Sequence, residues 1–132
     1  MSYREILALF AFISAIATGP TDAAGLGGTL QGSVTQDAPR STYEVEMELH
    51  GNRGSVNYPS LGCGGRLKFV RSDGKAYWYR ETITAGKEKC INGGSTRMSR
   101  HPTEKNAWNW RWQGSGVTVR GVLHGAAVPD SR

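Results

Sequence analysis

The chain has 132 residues, one domain's worth, and a formal charge of +5. Its two cysteines, Cys63 and Cys90, cannot supply the four ligands of a zinc site, and His50, His101 and His124 show no ligand spacing with either. No metal and no cofactor is therefore expected.

Residues 1–24 come first. Arg4 precedes a short apolar run from Ile6 to Ala17, Gly19 and Pro20 break it, and small residues follow up to Ala24. This is the layout of a secretory signal peptide, cleaved near Ala23 or Ala24. Glu5 is unusual in such a leader, so a retained anchor stays open as the rival reading. No second apolar stretch occurs, so no transmembrane span is expected after signal removal. Without Arg4, Glu5 and Asp22 the remainder carries 15 basic and 9 acidic residues, a charge of +6. That balance suits an anionic ligand or an envelope protein as partner, or simply solubility.

From residue 26 onward the pattern is strand after strand. Candidate strand segments fall at 28–35, 43–49, 54–58, 67–71, 76–83, 88–91, 94–99, 107–112 and 117–123, nine segments for a fold of about eight short strands. The segment 43–49 is the clearest. Tyr43, Val45, Met47 and Leu49 alternate with Glu44, Glu46 and Glu48, which places the apolar side chains on one face. Asp73-Gly74 signals a hairpin. A three-residue loop sets Phe69 opposite Tyr77 and gathers Leu67, Phe69, Tyr77, Tyr79 and Ile83 on one face; a two-residue loop sorts the faces less cleanly. Near the end, Trp108, Trp110 and Trp112 share a face. Gly114-Ser115 suits a type II′ turn that sets Trp112 opposite Val117 and Trp108 opposite Gly121. The fold class expected is all-β: a small antiparallel barrel closed by pairing the first strand with the last, with a β-sandwich as the alternative. The domain spans residues 25–125, and residues 126–132 form a flexible tail.

The stretch Tyr58-Pro-Ser-Leu-Gly-Cys-Gly-Gly65 concentrates glycine around one cysteine. Pro59 ends a strand, residues 60–62 turn a corner, and Gly64 and Gly65 permit unusual backbone angles. The expected register sets Gly65 opposite Glu81. Glu81 shares the face of Tyr79 and Ile83, so its carboxylate points inward and needs partners, for which the backbone N–H groups of the glycines are candidates. Two cysteines in an exported chain read as one disulfide, worth roughly 3.5 kcal/mol by loop entropy.

That string, continued by Arg80-Glu-Thr-Ile83, Gly86, Cys90 and Gly93-Gly94, resembles small secreted all-β domains of bacteria. It is similar to domains appended to the outer side of some actinobacterial serine/threonine kinases. The resemblance implies a Cys63–Cys90 pair and a compact β domain, and it implies no activity.

Catalysis has no visible set of residues. There is no Gly-x-Ser-x-Gly elbow and no spare cysteine, and Gly62-Cys-Gly64 lacks the strand–helix context of a phosphate loop. A non-enzymatic binding module is the function expected, in or outside the bacterial envelope. The alternative is an inhibitor or immunity-like protein that blocks an envelope enzyme with a loop such as residues 100–106. An export signal argues against nucleic acid. Candidate contact residues are Trp78 with Lys68 and Arg80 on an outer face, and Trp108, Trp110 and Trp112, which serve either as core or as a binding surface.

Overall fold

The computed structural model describes residues 25–130. The leader at residues 1–24, with its signal-peptide reading, lies outside the described residues. Among the described residues nine strands form and no helix: β1 (Leu26–Gln36), β2 (Ser41–His50), β3 (Arg53–Tyr58), β4 (Cys63–Ser72), β5 (Ala76–Ala85), β6 (Ser95–Arg100), β7 (Ala107–Gly114), β8 (Val117–His124) and β9 (Val128–Pro129). Each of the first seven pairs antiparallel with the next. β1 pairs with both β2 and β8, which closes the barrel. Closure removes the exposed edges that an open sheet would leave.

Strict alternation builds the interior. Val45, Met47 and Leu49 of β2 are buried, and Glu44, Glu46 and Glu48 are exposed. Around the barrel, Leu30, Val34, Leu67, Tyr79, Ile83, Met98, Trp108, Trp110, Trp112, Val119 and Leu123 are among the residues that join them in the core.

One end of the barrel is shut. The Tyr79 hydroxyl accepts the Leu26 N–H at 2.8 Å and donates to the Gly51 carbonyl at 3.1 Å. Burial pushes this phenol up to about 12. β9 pairs with the start of β1, Ala127 is buried, and the Asp130 N–H reaches the Gly25 carbonyl at 2.9 Å. Residues 126–130 are thus docked, where a flexible tail was expected. Their apolar contact and their bonds to β1 outweigh the entropy of a free terminus.

Both hairpin registers differ from expectation by two residues. Phe69 lies opposite Tyr79, Leu67 opposite Glu81 and Gly65 opposite Ile83. A bulge at Val70 then sets Arg71 opposite Trp78, and Val70 is 53% exposed. Asp73 holds the turn by accepting the Lys75 and Ala76 N–H groups at 2.9 and 2.8 Å. In the last hairpin the turn residues are Ser115 and Gly116, both with positive φ (49° and 78°), the signature of a type I′ turn rather than II′. Trp112 therefore faces Val119, Trp110 faces Gly121 and Trp108 faces Leu123. A shift of two residues keeps every side chain on its face, which is why the face assignments survive.

The opening glycines act through space rather than angle. Gly64 and Gly65 lie within β4, and neither has a positive φ. A Cβ on Gly65 would sit 2.0 Å from the Thr82 carbonyl oxygen across the β4–β5 ladder. Gly65→Ala is expected to cost about 1–3 kcal/mol by overpacking. An unchanged urea midpoint would show that the ladder relaxes freely there.

Residues 88–91, expected as a strand, belong instead to a long connection between β5 and β6. Cys90 pins it to Cys63 at the start of β4. The Asn92 Oδ1 accepts the Ile83 N–H at 2.8 Å, a bond that replaces strand pairing at that point.

Candidate functional site

Two features outlast the needs of folding: the open end of the barrel and an arginine-rich stripe on its outer wall.

The open end lies opposite the Tyr79 plug. A cavity of about 150 Å³ opens there between the 59–62 corner and the disulfide-pinned connection. Tyr43, Tyr58, Trp110 and Trp112 line it, with Glu81 inside and Lys89 at the rim. Glu81 is 1% exposed. It accepts the Tyr58 hydroxyl at 2.5 Å on Oε2 and the Trp112 indole N–H at 3.0 Å on Oε1. The inward carboxylate thus finds partners on β3 and β7, and not on the glycine backbone of β4. Burial raises its pKa, and the two hydrogen bonds oppose that rise. Burial, followed by the Glu81 charge, also raises Tyr43 and raises Tyr58 strongly, so both phenols remain donors. Tyr43 and Tyr58 meet edge to face with centroids 6.0 Å apart.

The tryptophan stripe is core, since Trp108, Trp110 and Trp112 are all nearly fully buried. Trp110 and Trp112 nevertheless form part of the cavity wall. The Trp112 indole packs over Gly94, whose Cβ, if present, would sit 2.2 Å from it. Trp108 lies toward the other end, against Tyr77 and beneath the Arg100 guanidinium at 4.8 Å.

The outer stripe was expected to place Trp78 between Lys68 and Arg80. Those two instead oppose each other directly, with Arg53 beyond Lys68 in the same cross-strand row. The companions of Trp78 are Arg71, whose guanidinium carbon is 3.6 Å from the ring centroid, and Arg97 at 5.5 Å. The Val70 bulge is the reason. Without the extra residue, Val70 would face Trp78. Pairing continues from Trp78 to Arg97, Arg97 to Arg111 and Arg111 to Arg120. Five strands therefore carry one row of four arginines and a tryptophan, about 19 Å along the wall at the usual strand spacing. Among the described residues only Arg120 of this row has an ion pair, to Asp37 at 3.6 Å. Other acidic residues lie elsewhere: on β2, Glu44 accepts from Ser33, Glu46 accepts from Asn57, and Glu48 lies 3.8 Å from His50. Like charges directly opposed on a sheet are destabilising, so folding alone gives no reason for this row.

The loop at residues 101–106 is braced. His101 Nδ1 accepts the N–H groups of Thr103 and Glu104 at 3.3 and 3.1 Å, and Glu104 reaches His124 at 3.2 Å. No group of three or more His, Cys, Asp or Glu side chains suited to a metal occurs among the described residues, and no helix there is long and apolar enough to cross a membrane. Comparison with known proteins finds no family model, no curated protein and no solved structure that matches the chain.

Proposed function

We propose that this chain is a non-enzymatic binding module that works outside the cytoplasm and takes a polyanionic envelope component on its arginine wall. The observation that carries this reading is the cross-strand row Arg71–Trp78–Arg97–Arg111–Arg120, in which arginine opposes arginine twice with no carboxylate between. A repeating anion relieves that repulsion along the whole row, and Trp78 adds a flat contact surface among the cations. The signal-like leader, the disulfide and the likeness to kinase-appended outer domains support the location.

Titration with inorganic polyphosphate tests it. Affinity is expected to fall steeply between about 50 and 300 mM salt, as screening shortens the reach of each charge. Arg97→Glu with Arg111→Glu is expected to weaken binding about tenfold or more at low salt. Arg111→Gln adds an independent check. It removes the charge between two others, so it is expected to raise stability by a few tenths of a kcal/mol while weakening binding. Lower stability together with unchanged binding would mark the row as structural.

The inhibitor reading has its own support in the braced loop at 101–106, which is ordered enough to enter a partner's cleft. An envelope pull-down that returns one enzyme, inhibited by the wild-type chain and released by Pro102→Ala with Lys105→Ala, favours that alternative.

A further inference from the structure

We propose that the open mouth of the barrel is a binding site for a single hydroxylated ring, of the size and chemistry of one sugar unit. This site is separate from the arginine wall and does not depend on it.

Size comes first. A cavity of about 150 Å³ is of the order that holds one six-membered ring. A longer glycan fits only by inserting its terminal unit, because the other end of the barrel is plugged by Tyr79 and β9.

The walls set the chemistry. Four aromatic side chains line the cavity, three of them buried and Tyr43 half-buried at the rim, and aromatic surface is what a saturated ring's C–H face packs on. Trp110 lines the cavity, is 2% exposed, and its indole N–H has no acceptor among the described residues. A buried donor of that kind is costly, and a ligand oxygen would satisfy it. Glu81 is the converse case. Two of its acceptor positions are filled by Tyr58 and Trp112, and a carboxylate has about four. The residues around the mouth therefore include one whose buried indole N–H lacks an acceptor and one carboxylate with acceptor positions left over. A hydroxyl group is both acceptor and donor in one atom.

Other ligand classes fit less well. A hydrocarbon or simple aromatic ring leaves the Trp110 N–H unmet. A quaternary ammonium suits the aromatic walls and the carboxylate, yet it offers Trp110 no acceptor and meets Lys89 at the rim. An anion would be brought against the buried Glu81.

A ring of about a dozen heavy atoms at drug-like efficiency binds with Kd of about 1 mM. The test is an NMR titration of the oxidised, ¹⁵N-labelled chain, read at the four indole N–H resonances. The probes are glucose, N-acetylglucosamine, phenol, tetramethylammonium and polyphosphate. The expected result is that at least one of the two sugars shifts Trp110 and Trp112 saturably and leaves Trp78 unmoved, while polyphosphate moves Trp78 alone. Tyr43→Leu, at the half-buried rim, is expected to weaken the sugar response at least fivefold while the fold is retained. Trp110→Phe is expected to abolish it. No shift of Trp110 with either sugar up to about 50 mM overturns the proposal. So does an equal response to phenol or tetramethylammonium, or a Tyr43→Leu variant that binds as well as the parent. The polyphosphate channel reads the arginine wall in the same spectra, so failure of one site is distinguishable from failure of the other.

Discussion

Glu81→Leu is expected to destabilise the barrel by about 2–4 kcal/mol, and Glu81→Gln by about 1 kcal/mol. The difference lies in what each variant leaves behind. Leucine strands two buried donors, the Tyr58 hydroxyl and the Trp112 indole N–H, that now end on Glu81. Each unpaired buried donor costs about 1–3 kcal/mol, offset in part by no longer burying a carboxyl group. Glutamine keeps both contacts. Its oxygen faces the indole N–H, and its NH₂ faces the Tyr58 oxygen, which can turn from donor to acceptor. Urea midpoints of the three proteins at one pH decide the ranking. Equal losses for Leu and Gln would mean that shape rather than hydrogen bonding holds this site together.

The same residue gives the barrel a pH dependence of definite sign. Burial raises the Glu81 pKa in the folded state above its ordinary value near 4.3. The folded protein then holds the Glu81 proton more tightly than the unfolded chain does. This contribution to stability is fully present below the unfolded pKa. It declines as pH rises through the interval between the unfolded and the raised folded value, and is flat above it. Exposed carboxylates such as Glu44, Glu46 and Glu48 titrate over part of the same range, so the wild-type curve alone does not isolate the effect. The difference between wild type and Glu81→Gln does. That difference is expected to shrink in favour of the variant as pH rises from about 4 upward. Parallel curves would show that Glu81 titrates normally.

Removal of the disulfide, as Cys63→Ser with Cys90→Ser, is expected to cost about 3.5 kcal/mol. The cross-link spans 27 residues, and the loop-entropy relation for that length gives this value. Against a total stability of roughly 5–15 kcal/mol the loss is large, and for a domain of this size it corresponds to a fall in Tm of about 15–25 °C. The damage is also expected to be local. The connection at residues 86–94 has no strand pairing. Apart from the disulfide, Asn92 holds it to Ile83, and the Gly94 carbonyl accepts the Glu81 N–H at 2.8 Å. Cys90 and Ile91 line the mouth cavity, so release of this segment loosens one of its walls. Hydrogen exchange should therefore accelerate at Glu81 and Ile83 well before it does at Tyr79, which sits against the plugged end. Uniform acceleration along β5 would show that the disulfide acts on the whole barrel rather than on its mouth.

The amino-acid sequence by itself determined which side chains share a face. Alternation in residues 43–49, the shared face of Leu67, Tyr79, Glu81 and Ile83, and the shared face of Trp108, Trp110 and Trp112 all follow from a period of two, which any even register preserves, while the burial of the tryptophans was decided by the closed barrel. It also made a closed barrel and a single disulfide readable from strand count and cysteine count. It did not determine register, because a two-residue slip leaves the faces unchanged and costs little in local pattern. The Val70 bulge and the Ser115-Gly116 turn set it instead, through backbone geometry that no side-chain periodicity records. Everything that rests on register was hidden with it. The neighbours of Trp78 became Arg71 and Arg97, the arginine row assembled from five strands, and Tyr58 and Trp112 reached Glu81 from separate strands. Residues 88–91 and 128–129 were misread for a related reason. Their state depends on a cross-link and on an available strand end, and these exist only once the barrel has closed. Side-chain direction is a local property of the chain. Which side chains meet is a property of closure, because contacts between strands far apart in sequence are made only when the sheet joins its own edge.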